Sequence, residues 1–392
     1  MRKNISIDLA YASVNHIGEE LCGDNVEVVN NDDSRILILT DGMGSGVRAN
    51  ILATLTSRII ATMMRHKMSV DEVVSTIAKT LPISSVNGAA YSTFSMIQAF
   101  EDGRVFIVEY DNPECILIRN GKVEKLPFQY RNIEGKEIRE CEFRSEIGDS
   151  FAIMSDGCLY CGTGDIMNYS WDWKALSKCA AKAAGRSRNA QQMADYMNNA
   201  CKELYGNKPT DDTTVAVLRI QKEHILSILT GPPADKADDY RMVEAFMKTE
   251  GIKIVSGGST SQMVARVLNK KLVHVEGEMD PEIPPMSKIE GVDLVTEGVL
   301  TIRKAIELLE GYIDNDVSDE FFMELSRDNG ATRLACYLME DCSTVKLFVG
   351  RAVNDDYDEK TLPFDISARR HLTQNLIDVL ERMNKKAEIY YY

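Results

Sequence analysis

Two apolar runs in this 392-residue chain end in the same way: Ile36-Leu37-Ile38-Leu39-Thr40 leads into Asp41-Gly42, and Phe151-Ala152-Ile153-Met154-Ser155 leads into Asp156-Gly157. Each reads as a buried strand that delivers a carboxylate at its C-terminal end, beside a glycine that lets another group approach the backbone. Two further acids precede strand-like runs: Asp24 in Gly23-Asp24-Asn25, and Asp211 in Thr210-Asp211-Asp212-Thr213-Thr214. In an antiparallel sheet the start of one strand lies beside the end of its neighbour, so a hairpin over 26–40 sets Asp24 next to Asp41. The same logic brings Asp156 and Asp211 to that edge. Four carboxylates converging with no Lys or Arg among them repel one another and raise each other's pKa, and a divalent cation resolves the conflict. Oxygen-only ligation favours Mg2+ or Mn2+, and such a cluster accommodates two ions about 3.5–4 Å apart, a pair that turns water into a nucleophile for phosphoester hydrolysis. A single Asp-Gly is most often a solvated turn. The case rests on two such pairs at one predicted edge.

The elements that must position these acids are legible as periodicity. Strand patterns cover 5–10, 26–29, 35–40, 93–100, 105–110, 115–119, 151–155 and 213–220, several joined by hairpin-length turns such as Asn120-Gly121. Helical patterns over 47–67 and 69–80 follow the third strand, and patterns over 173–184 and 189–205 precede the last. The first half therefore reads as helices packed on mainly antiparallel sheets. Beyond residue 220 the pattern alternates: strands at 225–230, 252–256, 272–275, 292–296, 345–349 and 387–391, with helices at 237–248, 261–268, 299–309, 319–328 and 367–384. That alternation predicts a smaller α/β domain with a mainly parallel sheet, hence domains at 1–220 and 221–392. Pro281, Pro284 and Pro285 mark 276–291 as a loop.

Composition narrows the function classes. The formal net charge of −15 repels phosphate backbones and anionic lipid, which argues against nucleic acid and membrane surfaces as partners. No apolar stretch reaches membrane-span length and the N-terminus turns polar early, so a cytoplasmic location is expected. Nine cysteines, an odd number in a chain this large, read as reduced thiols. An oligomer is compatible with the sequence and is not specified by it.

Asp41-Gly42-Met43-Gly44-Ser45-Gly46 followed by a long helix, together with Ser155-Asp156-Gly157 and Asp211-Asp212-Thr213-Thr214-Val215-Ala216-Val217, resembles the metal-dependent protein phosphatases of the PPM family, specifically their sporulation-type (SpoIIE-like) bacterial branch. Gly23-Asp24-Asn25 and Tyr110-Asp111-Asn112-Pro113 stand in the expected order. The resemblance covers about residues 1–220. It implies an α-β-β-α fold, a two-layer antiparallel β-sandwich flanked by helices. It also implies hydrolysis of phosphoserine or phosphothreonine in a protein substrate by a metal-bridging hydroxide, without a phosphoenzyme. Carried over, Asp41 bridges two Mn2+ or Mg2+ ions, the Gly42 carbonyl binds one, Asp156 and Asp211 hold the other, and Asp24 binds directly or through water. Asp212 takes a supporting role. Members of the larger family place an upstream Arg on the phosphate; this chain has Asn15-His16-Ile17-Gly18, which leaves the phosphate clamp open between His16 and no residue of that segment.

Weaker signals remain. Cys158-Leu159-Tyr160-Cys161 follows Asp156-Gly157, and small buried thiols are the default reading over a redox switch; Met63, Met64 and Met68 read as core filler. In the second domain four strands end in small or polar residues at one edge, where α/β domains bind ligands. The turn Ser256-Gly257-Gly258-Ser259-Thr260, with Arg351, suits a small anionic ligand; tight-turn glycines are the competing account. The combined expectation is a phosphatase domain followed by a regulatory or substrate-selecting domain. Its rivals are a pseudophosphatase scaffold and a two-metal hydrolase of a small phosphorylated metabolite.

Overall fold

The computed structural model describes residues 5–80, 92–161, 171–275, 282–314, 318–352 and 362–392, with side chains in the last segment from 370 onward. The expected loop at 276–291 lies partly outside them, Pro281 included. The chain folds as two units, Met1–Lys222 and Glu223–Tyr392.

The strands of the first unit are β1 (Ile5–Val14), β2 (Asp24–Asn30), β3 (Ser34–Gly42), β4 (Ser92–Phe100), β5 (Arg104–Tyr110), β6 (Ile116–Arg119), β7 (Lys122–Glu124), β8 (Gln129–Ile133), β9 (Lys136–Arg144), β10 (Ser150–Met154) and β11 (Thr213–Lys222). They form two antiparallel sheets, ordered β1-β11-β10-β6-β7 and β2-β3-β4-β5-β9-β8. Helices α1 (Gly46–Arg65), α2 (Val70–Thr80), α3 (Gly157–Tyr160), α4 (Trp173–Arg186) and α5 (Ala190–Leu204) complete the unit.

The two apolar runs owe their lack of alternation to burial on both faces. Leu37 and Leu39 of β3 pack with Phe151 and Ile153 of β10 in one core cluster drawn from both sheets. Ile36 and Ile38 point the other way, onto Ile60, Met63 and Met64 of α1. Ala152 and Met154 likewise turn toward Leu176 of α4 and Met197 of α5. A buried Leu or Ile side chain contributes about 1.5–3 kcal/mol, so these strand ends are anchored from two sides. The helices are placed by local chemistry: Asp172 accepts the Ala175 N–H at 2.8 Å and Asn189 the Gln192 N–H at 2.8 Å, capping α4 and α5. The Asn120-Gly121 turn joins β6 and β7 with both residues at positive φ, 51° and 73°, as a two-residue hairpin requires.

The hairpin β8–β9 carried no strand signal. Gln129-Tyr130-Arg131-Asn132 of β8 are all exposed at the sheet edge, so neither face imposes an apolar alternation, while β9 lies between β5 and β8 and its buried residues Ile138 and Cys141 fall three apart rather than two.

The second unit contains β12 (Ile225–Thr230), β13 (Ile252–Ser256), β14 (Val273–His274), β15 (Ser287–Lys288), β16 (Leu294–Thr296), β17 (Thr344–Val349) and β18 (Lys386–Tyr391). Its helices are α6 (Asp239–Met247), α7 (Gly258–Leu268), α8 (Val299–Ile313), α9 (Asp319–Leu325), α10 (Gly330–Glu340) and α11 (Leu362–Arg382). The sheet order is β14-β15-β16-β13-β12-β17-β18. The five strands from β16 to β18 are parallel, and β14 and β15 add a short antiparallel edge. Counting only the parallel strands in chain order, the sheet runs third, second, first, fourth, fifth, a doubly wound arrangement. One face packs α8, α10 and α11, the other α6 and α7. Several expectations are corrected: α7 begins at Gly258 rather than 261, α9 ends at Leu325 rather than 328, α11 begins at Leu362 rather than 367, β15 lies within the expected loop 276–291, and α10 was not foreseen. Asn329 supplies the signal for α10, accepting the N–H groups of Ala331 and Thr332.

Candidate metal centre and a second cleft

Asp24 and Asp41 are direct register partners across β2 and β3. β10 ends at Met154 opposite Val215 of β11, so Asp156 leaves one strand where Asp211 and Asp212 enter its neighbour. Asp41, Asp156 and Asp211 line a cleft of about 450 Å³ with His16, Met43, Gly44, Ser45, Ser92, Thr93, Asp111 and Thr210. Asp24 lies beneath them, 5% exposed, and accepts the Ser155 hydroxyl at 2.7 Å through Oδ2. Ser155 in turn accepts the Thr214 N–H at 2.9 Å, tying this contact to β11.

The glycines after the two acids are fixed by close approach. A Cβ on Gly42 would stand 2.1 Å from the Ala49 carbonyl oxygen, and one on Gly157 would stand 2.2 Å from that of Asp212. Each Asp-Gly is therefore wedged against a neighbouring segment, unlike a solvated turn.

The electrostatics are those of uncompensated like charges. Burial, followed by Asp24, Asp156 and Asp211, pushes the Asp41 carboxyl up to about 9. Burial is also the first cause for Asp24, raised to about 7, for Asp211, raised to about 6, and for Asp156, which is raised as well and shares a hydrogen bond with Asp41. Asp24 Oδ1 and Asp212 Oδ2 are buried without a hydrogen-bond partner. Asp212 Oδ1 accepts the His16 backbone N–H at 3.0 Å, which is how the 13–18 segment is held over the cleft.

Two of these findings were out of reach of sequence reasoning. Asp111 is a fifth acid of the cleft and adds to the rise of Asp156; its φ of 55° in Tyr110-Asp111-Asn112-Pro113 gives it an unusual backbone for a non-glycine residue. Its only signal was its place in the resemblance. Thr93 and Ser92 reach the cleft because they pair with Asp41 and Gly42 across β3 and β4. Cys158 and Cys161 are buried in a core cluster with Cys201, and all nine cysteines are free.

An all-oxygen set of crowded, partly protonated carboxylates with orphaned buried oxygens fits hard divalent cations. Among the described residues, however, no three or more His, Cys, Asp or Glu side chains form a group that would hold a metal ion by side chains alone. Main-chain carbonyls and water have to complete any coordination.

The family model described as Stage II sporulation protein E (SpoIIE) matches residues 31–221, the span of β3 to β11 that carries Asp41, Asp156 and Asp211. Those residues belong to the SpoIIE-like branch of the PPM phosphatases. Solved structures similar to the chain include the PP2C phosphatase domain with a fragment of the regulatory domain of SpoIIE from Bacillus subtilis, at 18% identity and TM-score 0.48, covering 55% of this chain and 64% of that one. The RsbU and RsbW domains of a Mycobacterium tuberculosis protein match at 15% identity and TM-score 0.45, covering 63% and 70%. The catalytic domain of the phosphatase PstP with two manganese ions matches at 16% and 0.39, covering 55% and 99%. No curated protein matches the sequence. Asp24 precedes the matched span, so its link to the SpoIIE-like domain rests on the pairing of β2 with β3.

In the second unit, the ends of β12, β13, β16 and β17 share one edge through the pairs Thr230↔Ser256, Ser256↔Thr296 and Thr230↔Val349. Ser256, Gly257, Gly258, Ser259 and Thr260 line a cavity there of about 480 Å³. Arg351 is outside that lining; its guanidinium lies 4.6 Å from the centre of the Tyr391 ring. Among the described residues no helix is long and apolar enough to cross a membrane.

Proposed function

We propose that the first unit is a metal-dependent serine/threonine phosphatase of α-β-β-α type acting on phosphoproteins, with two Mn2+ or Mg2+ ions and in a cytoplasmic setting. The observation that carries this reading is the convergence of Asp24, Asp41, Asp156 and Asp211 from four separate segments, with orphaned buried oxygens and carboxyls driven toward protonation. Asp41 would bridge the two ions, with the Gly42 carbonyl on one, Asp156 and Asp211 on the other, and Asp24 direct or through water. When bound, the ions would supply Lewis-acid polarisation of the phosphoryl group and a nucleophile drawn from water.

The chain's own residues do the positioning. Ser155 donates its hydroxyl to Asp24 Oδ2, which leaves Oδ1 as the carboxylate oxygen without a hydrogen bond. The Asp212 carboxylate fixes the His16 backbone, which leaves the imidazole at the cleft wall. His16 Nδ1 donates to the Ile17 carbonyl at 2.8 Å, so Nε2 would donate to a phosphate only in the imidazolium form.

The second unit, in this reading, regulates the first or selects its substrate. The test is Mn2+-dependent release of phosphate from a phosphoserine peptide by the full chain, with chelation as the control. Activity that survives chelation, or none with any divalent cation, rejects the assignment. Comparing the chain with and without residues 223–392 then tests the role of the second unit: equal turnover and equal peptide preference would remove it.

A further inference from the structure

Asp111 lines the first cleft from a left-handed backbone, φ 55°, immediately after β5. A non-glycine residue in that region carries strain, which persists only where the surroundings over-determine it, and such positions gather at functional sites. The loop that carries it is held at more points than its closure requires. Glu109, fully buried, accepts the Cys115 N–H at 2.7 Å and so closes the loop between β5 and β6. Pro113 restricts the backbone of Asn112, the residue that follows Asp111.

Asn112 is then fixed from two further strands. From β4, the Thr93 hydroxyl donates to its Oδ1, and its Nδ2 donates to the Ser95 hydroxyl at 3.2 Å. From β9, the Arg139 guanidinium donates to its main-chain carbonyl and pairs with Glu109 at 3.1 Å. A buried amide that uses both its donor and its acceptor has one orientation, and a planar guanidinium that spans a carboxylate and a carbonyl fixes their separation. Only the Glu109 bond to Cys115 is needed to close the loop. The other contacts converge on the residue next to Asp111.

That convergence bears on the cleft. Thr93 is the register partner of Asp41 and lines the cleft with Asp111 and Asp156. The Asp111 charge reaches Asp156 and helps to raise it. A carboxylate held there adds negative potential to the cleft whether or not it touches an ion. The attraction of a cation for that charge falls with distance, so a loop that let Asp111 swing outward would forfeit it.

We propose that Asn112 and Arg139 are positioning residues of the first cleft: they hold Asp111 in place beside Asp156 and thereby raise the affinity of the cleft for divalent cations, a role that rests on the metal-dependent reading of that cleft. Neither residue lines the cleft, and both act through Asp111.

The test is calorimetric titration of the full chain with Mn2+ alone, so hydrolysis is not the readout. Asp111→Asn keeps the side-chain shape and the tolerance for a left-handed backbone but removes the charge, and it should weaken Mn2+ binding by about tenfold. Asn112→Ala should weaken it to a similar extent, as should Arg139→Lys, which keeps a counter-charge for Glu109 but loses the fork that reaches the Asn112 carbonyl. In the Asp111→Asn background the same two substitutions should each change the affinity by less than about twofold, because a displaced neutral side chain forfeits nothing. A purely structural role would lower the affinity equally in both backgrounds. Melting temperatures on the same samples establish that the compared variants are folded, and Arg139→Lys retains the buried ion pair, so the comparison does not depend on Asn112→Ala alone. Mn2+ affinity unchanged in Asp111→Asn, or unchanged in both Asn112→Ala and Arg139→Lys, or lost equally with and without the Asp111 charge, would overturn the proposal and leave the phosphatase reading standing. An unaltered chain that binds no Mn2+ would overturn both.

Discussion

The two clefts are both built at strand ends, and they manage charge in opposite ways. In the first unit four strand-end acids are forced together with no cation, and the carboxyls respond by holding protons, Asp41 up to about 9. In the second, the strand ends offer hydroxyls, glycine backbone and a single exposed carboxylate, Glu297. The first arrangement is relieved by protons or by a divalent cation; the second has no such crowding of carboxylates. The glycines differ correspondingly. Gly42 and Gly157 abut fixed backbone carbonyls, while Gly258 faces the mobile end of Glu297.

The largest expected effect breaks the first cleft. Asp41→Asn should cut metal-dependent hydrolysis by about 10²–10³-fold or more in a steady-state assay. It should leave the fold intact, because Asn keeps the shape of a carboxyl that burial already drives toward its neutral form. Retained activity would mean that the clustered acids are not the reacting site.

Next comes the contrast between glycines. Gly157→Ala pushes a methyl into the Asp212 carbonyl and should cost about 2–3 kcal/mol in a denaturation experiment, whereas Gly258→Ala should cost well under about 1 kcal/mol because Glu297 can swing away. Equal costs would remove the distinction between a wedged site and an open one.

A smaller effect is the pH dependence of stability without divalent ions. Asp24, Asp41 and Asp211 have folded pKa values above their ordinary ones, so the folded chain binds more protons than the unfolded chain. Their contribution is therefore greatest below pH about 4 and is lost progressively as pH rises to about 9. Melting temperature should fall over that window. Added Mn2+ should flatten the fall while releasing protons, and Asp41→Asn should reduce it. A melting temperature that rises across the window would contradict the assigned directions.

The smallest effect concerns Arg351. Its guanidinium is exposed and stacked on Tyr391 outside the second cavity, so Arg351→Ala should change stability by about 0.5–1 kcal/mol at most in a denaturation experiment. A loss well above about 1 kcal/mol would mean that the residue is more than an exposed stacking partner.

What the sequence determined by itself was the set of acids and the strands that carry them. Unbroken apolar runs ending in Asp-Gly require burial on both faces, and an antiparallel hairpin leaves Asp24 no neighbour at that end other than Asp41. The strand-helix alternation of residues 225–391 likewise carried the parallel sheet, because buried parallel strands are written as short apolar runs. Tertiary structure alone decided the rest. Asp111 and His16, marked in the sequence only by the resemblance, reach the first cleft through a left-handed backbone and a bond to Asp212. The exposed edge strand β8 had no apolar period to read, and the buried residues of β9, Ile138 and Cys141, are three apart. In the second unit the sequence marked Ser256–Thr260 and Arg351 alike as strand-end polar residues, and only the packed chain separated them. It also put Glu297, 37 residues beyond Thr260, at the mouth of the same turn. Local propensity and periodicity fix what each segment becomes; which charges meet is set by the sheet order, and that is a property of the whole fold.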